Sequence, residues 1–147
     1  MRKALALSIV LSVGLGLGQV MAEDAQTQVP NLVGTWTSPV KMKWMRSKGT
    51  AEGSLTLRVL DQDGPLLKLE KSWETPGAAG NVGGKDVEKA TETMVGVVDF
   101  DGKSFYLAEQ DDNGFYTGRL TAPDTLELVY VEAGHAAVYR AQLTRKK

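Results

Sequence analysis

Three short dipeptides constrain this chain more than any other feature. Asp63-Gly64, Asp101-Gly102 and Asn113-Gly114 each stand between two apolar, β-branched or aromatic stretches. Such pairs supply the positive φ that tight hairpin turns demand. Pro123-Asp124 and Gly134-His135 punctuate the last two connections. The segments between them, near 32–38, 53–60, 66–73, 92–99, 103–109, 114–121, 124–132 and 136–144, read as eight strands. Only Asp86 to Ala90 suggests a short helical turn. Eight sequential strands joined mainly by tight turns form a meander, and a meander of that length hides its edges by closing into a barrel. The expected class is all-β: an eight-stranded antiparallel up-and-down barrel over residues 32–147.

Alternation assigns the faces. Leu126, Leu128 and Tyr130 form one inner series, and Ala137, Tyr139, Ala141 and Leu143 another. Outward positions include Arg58, Arg119, Glu127, Arg140 and Gln142, which would be costly against lipid and argue against a membrane barrel.

The first 22 residues have the order of a secretory signal. Arg2 and Lys3 precede an apolar stretch from Ala4 to Gly18, and Val20-Met21-Ala22 offers a cleavage site. The stretch is shorter than the roughly 20 residues that span a bilayer. We expect a signal peptide at 1–22, a polar tail at 23–31, and an exported, periplasmic or secreted protein.

Composition excludes much chemistry. Of 147 residues none is Cys and one is His, which removes disulfides, thiolate nucleophiles and multi-His metal sites. With 17 Lys and Arg against 18 Asp and Glu, a nucleic-acid partner is not expected. No catalytic residue, metal or cofactor is assigned; a carboxylate pair such as Glu109 and Asp111 has acid–base potential, but acidic residues beside turns are common, and the protein is not expected to be an enzyme. Gly84-Lys85 lacks the spacing and the helix of a phosphate loop. Asp61-Gln-Asp63 and Asp99-Phe-Asp101 lack the later acids of a calcium loop. His135 reads as a turn residue.

The phrase Val33-Gly34-Thr35-Trp36 on the first strand resembles the calycin superfamily of lipocalins, avidins and fatty-acid-binding proteins, most of all the avidin-type and small lipocalin-like barrels. Gly114 to Leu120 and Leu126 to Glu132 are similar to a group of exported bacterial proteins. The resemblance implies that Trp36 plugs one barrel end beneath a basic residue of the last strand. Antiparallel closure brings the start of strand one to the end of strand eight, so that residue is Arg145 rather than Arg140. Gly34 allows the close approach of backbone and ring. The polar set by which avidins hold biotin has no match here.

Two long connections, Pro39 to Glu52 and Glu74 to Thr91, fall at the end opposite Trp36. The first carries Lys41, Lys43, Arg46 and Lys48 among Met42, Trp44 and Met45. It reads either as an extension of strand one with a solvated face or as an amphipathic mouth. The second holds a Gly-rich run from Gly77 to Gly84. The expected ligand site is therefore Lys41, Met42, Lys43, Trp44, Trp73, Tyr130 and Tyr139, for a small amphipathic and anionic molecule. Contact with the envelope surface is a further partner expectation. The competing expectation is a filled barrel acting as an oligomeric or inhibitor-type interaction protein, with Val129, Val131 and Tyr106 outward.

Overall fold

The computed structural model describes residues 28–46, 49–77, 80–82, 85–133 and 136–147. The expected signal peptide, positions 23–27 of the tail, Ser47, Lys48, Gly83, Gly84 and His135 lie outside the described residues. Residues 28–33 form no regular element.

The strands are β1 (Gly34–Thr37), β2 (Met42–Arg46), β3 (Gly49–Asp63), β4 (Leu66–Glu74), β5 (Gly80–Val82), β6 (Lys85–Val87), β7 (Lys89–Val98), β8 (Ser104–Glu109), β9 (Gly114–Ala122), β10 (Thr125–Glu132) and β11 (Ala137–Arg145). No helix occurs among the described residues. β1 and β2 both pair with β3 on one side and with β11 on the other, all antiparallel. Together they are one broken strand. With β3, β4, β7, β8, β9, β10 and β11 they close an eight-stranded antiparallel barrel.

Two connections differ from the expectation. Pro39 to Glu52 is not a long loop: it holds β2 and the start of β3. The break falls at 38–41, where Pro39 has no N–H to give a ladder. Ser38 spans the break, donating its N–H to Leu55 O at 3.0 Å while its Oγ accepts from Leu55 N at 3.2 Å. Alternation then resumes, Met42 and Trp44 inward, Lys43 and Met45 outward. The short helical turn at Asp86–Ala90 is also absent. β6 pairs instead with β5 in a small hairpin, and β7 starts at Lys89.

The turn chemistry explains the other end. Gly64 and Gly102 take φ of 54° and 64°, a region that only glycine enters without cost. Asp101 Oδ1 accepts from the N–H groups of Ser104 and Lys103 at 2.7 and 2.8 Å. Those bonds hold its carboxyl down at about 2.

The core fills the barrel from the Trp36 end upward. Leu55, Leu57, Leu69, Met94, Leu107 and Leu143 are among its most buried members. Gly118 faces inward between Phe105 and Leu128, its cross-strand partners, and a Cβ there would overlap the Phe105 ring. The aromatic packing of the interior thus depends on a position without a side chain.

Candidate functional site

At one end β1 and β11 meet in a short seam, with Trp36 opposite Arg145 and Thr37 opposite Thr144. Trp36 is fully buried, and its Nε1–H donates to Leu32 O at 2.9 Å. The Arg145 guanidinium lies 4.3 Å above the indole. Its amino groups donate to Asn31 O at 2.7 Å and Val33 O at 3.2 Å. A guanidinium over an indole face gains from the ring quadrupole. Gly34 opens β1 with φ 137°. This end is shut and structural.

The opposite end holds a cluster of inward polar groups above the aliphatic core. Lys71, on the inner series Leu67, Leu69, Lys71, Trp73 of β4, is only 4 % exposed. Its Nζ bonds Glu109 Oε1 and lies 2.6 Å from Glu92 Oε2. Glu92 Oε2 also accepts from Trp73 Nε1 at 2.7 Å. The Tyr130 hydroxyl sits 3.2 Å from both Glu109 Oε2 and Glu132 Oε2, so two carboxylates share its proton. The Tyr116 and Tyr139 hydroxyls meet at 2.5 Å. Burial pushes the Glu109 carboxyl above its ordinary value of 4.5, even though the Lys71 charge pulls it down. Burial likewise raises Tyr130, Tyr116 and Tyr139, so all three remain neutral hydroxyls.

Aromatic rings wall this cluster. Trp44 meets Trp73 edge-on at 6.3 Å and Tyr139 at 5.6 Å; Tyr130 stacks on Tyr139 at 4.7 Å. A pocket of about 50 Å³ opens among Trp44, Trp73, Tyr130, Tyr139, Lys71 and Glu92, with Arg46, Asp112 and Glu132 at its margin. Trp44 is 7 % exposed and its buried Nε1–H has no hydrogen-bond acceptor among the described residues. Buried N–H groups are seldom left so, because the lost solvation costs about 1–3 kcal/mol.

Glu92, Glu109 and Asp112 bring carboxylate oxygens within 4.8 Å of one another. The Lys71 ammonium already bonds two of the three, and supplies the positive charge that a metal ion would bring.

The structure brings together four of the seven expected ligand residues, Trp44, Trp73, Tyr130 and Tyr139. Met42 is buried in the core cluster. Lys41 is exposed, and Lys43 points outward to an ion pair with Glu52 at 3.3 Å. The charges that do line the pocket, Lys71, Arg46, Glu92, Asp112 and Glu132, were not among the expected site residues. Each of Lys71, Glu92, Glu109 and Glu132 occupies an inward position near the same end of the barrel. The two cations from which an anionic preference was read lie away from the pocket: alternation in β2 turns Lys43 from Trp44, and Lys41 precedes the strand and is exposed.

No protein-family model matches the sequence, and no curated protein matches it. Among solved structures the chain is similar to a redesigned β-barrel, at 12% identity over 79% of this chain and 92% of that one, with a TM-score of 0.49. It is also similar to a de novo designed fluorescence-activating β-barrel, at 16% identity over 84% and 98%, with a TM-score of 0.46. An S-type phycobiliprotein lyase from Guillardia theta matches at 13% identity over 79% and 89%, with a TM-score of 0.46.

Proposed function

We propose that this chain is an exported, calycin-like barrel, periplasmic or secreted, that binds one end of a small amphipathic molecule at its open mouth. It acts as a binder and not as an enzyme, and it needs no cofactor. The observation that carries this reading is the buried, unpartnered Trp44 Nε1–H in a pocket walled by aromatic rings and charged groups. A ligand oxygen that accepts from Trp44 removes an unsatisfied donor, while its apolar part packs on Trp73 and Tyr139. The lining mixes Lys71 and Arg46 with Glu92, Asp112 and Glu132. It therefore suits a head that carries both donors and acceptors better than a simple anion. At about 50 Å³ the pocket takes a head group, and the rest of the ligand lies at the barrel mouth.

Native mass spectrometry of protein from its own host tests this. The expected result is a chain beginning at Glu23 with a bound small molecule. Trp44→Phe keeps an aromatic side chain in the pocket wall and deletes the N–H. It is expected to weaken that adduct by about tenfold, the loss of one hydrogen bond. An exported chain that still begins at Met1 overturns the export reading. A ligand-free spectrum, or an adduct indifferent to Trp44→Phe, overturns the binding reading.

The small pocket also favours a second reading. Ligand pockets usually measure roughly 300–1,000 Å³, so this barrel is nearly filled. A filled barrel suits an interaction protein of the envelope, and the outer surface then carries the function.

A further inference from the structure

Charge at the mouth of the barrel does not balance. Glu92, Glu109 and Asp112 bring carboxylate oxygens within 4.8 Å of one another. One ammonium serves them: Lys71 Nζ bonds Glu109 and lies 2.6 Å from Glu92. Asp112 is half-buried and accepts the Asn113 N–H at 2.7 Å, but forms no ion pair among the described residues. The two cations of the pocket lining are already engaged, Lys71 by these acids and Arg46 by Asp86 at 3.8 Å. Trp44 adds an independent observation. It lines the same pocket, is 7 % exposed, and its Nε1–H has no acceptor among the described residues. The pocket therefore lacks one positive charge and one hydrogen-bond acceptor.

Resting on the ligand-binding reading above, we infer that the head group is a primary ammonium with an oxygen acceptor on the neighbouring carbon, as in an amino alcohol or an α-amino amide. Lys71 shows how this mouth holds an ammonium, with carboxylates as acceptors and its Nζ 5.3 Å over the Tyr130 ring. A second ammonium finds the same chemistry beside Asp112 and Glu92, and the rings of Trp73 and Tyr139 present further faces to it. Its N–H groups bond the carboxylates, which a quaternary ammonium cannot do. The neighbouring oxygen accepts from Trp44 Nε1. Size agrees as well. The pocket of about 50 Å³ holds about four water-sized groups, which matches a nitrogen, two carbons and an oxygen. An anionic head, by contrast, enters beside carboxylates with both cations of the lining taken, and like charges in so dry a site repel.

Isothermal titration of the mature chain tests this with probes that share a dodecyl tail and differ in the head, all below their micelle concentrations. Glycine dodecylamide carries the ammonium and the neighbouring carbonyl oxygen, and dodecylamine the ammonium alone. Dodecyl maltoside is neutral and dodecyl sulfate anionic. Glycine dodecylamide is expected to bind tightest, at least tenfold ahead of the maltoside and the sulfate, with dodecylamine between. Asp112→Asn keeps the side-chain volume and the acceptor for Asn113, and is expected to weaken both amines about tenfold while leaving the maltoside unchanged. Equal affinity across the heads, tighter binding of the sulfate, or an amine preference unmoved by Asp112→Asn overturns the ammonium assignment and leaves the ligand reading standing. So does calcium that displaces the amines, since the acids then serve a metal ion. If none of the probes binds, the ligand reading fails and this inference with it.

Discussion

Replacing Lys71 with methionine is expected to cost about 3–5 kcal/mol of stability, the usual result of removing one partner from a buried ion pair. Methionine keeps the apolar stem, so the loss reports charge rather than packing. The ammonium bonds Glu109, lies 2.6 Å from Glu92 and sits 5.3 Å over the Tyr130 ring. Without it the buried Glu109 and half-buried Glu92 carboxylates face each other uncompensated. Adding Glu109→Gln is expected to recover much of the loss, because Glu92 then keeps its bond from Trp73 Nε1 and no second charge opposes it. Urea denaturation of the single and double variants measures both effects. A single-variant loss under about 1 kcal/mol would mean that water, not Lys71, solvates the acids.

The same site sets a pH dependence. Burial raises Glu109 in the folded chain above its ordinary 4.5. The unfolded state therefore gives up this proton at lower pH than the folded state. The associated stability is full below about 4.5 and is lost as pH rises through the raised folded value. Glu109→Gln is expected to remove that part of the slope. Lys71→Met is expected to steepen it, since the charge that favours the ionised Glu109 is gone.

The barrel was legible because its turns and its alternation agree. Asp63-Gly64 and Asp101-Gly102 sit between β3 and β4 and between β7 and β8, where the sequence reading places them. Pro39 marked a discontinuity, yet a single proline does not say whether the chain leaves the sheet or resumes it. Here Ser38 bridges to Leu55 and the strand resumes. The site was harder for a specific reason. Lys43 adjoins Trp44 in sequence, so in a strand the two point to opposite faces, and a mouth containing both is a contradiction in period. Lys71, Glu92, Glu109 and Glu132 carry the reverse lesson. Their parity with Leu69, Met94, Leu107 and Tyr130 put them inside, but charge argued for outside. Their common level at one barrel end resolves the conflict, because there they can pair with one another. That level depends on register across strands, as does the meeting of Tyr116 with Tyr139. A single sequence does not display it.

The closed end provides the sharpest test of the architecture. Trp36→Ala is expected to destabilise the chain by about 3–5 kcal/mol, the range for truncating a large buried aromatic. Three losses combine. The cavity appears where the ring is fully buried. Leu32 O loses the donor that holds the entering segment. Arg145 loses the indole 4.3 Å beneath it, and with it the surface that orients its bonds to Asn31 O and Val33 O. The last matters because the seam is short here: β1 meets β11 at only two register pairs, and Lys146 N then donates to Thr35 O at 2.8 Å. Trp36→Phe separates the contributions, since it keeps most of the ring and deletes the N–H. It is expected to cost less, about 1–2 kcal/mol. Arg145→Ala is expected to leave Trp36 packed but to free the seam, so the Lys146 amide loses protection from hydrogen exchange ahead of the core. Denaturation curves and exchange rates of these three variants read the outcome. If Trp36→Ala cost under 1 kcal/mol, or Lys146 exchanged no faster without Arg145, the seam would be held elsewhere and the Trp36–Arg145 contact would be incidental to closure.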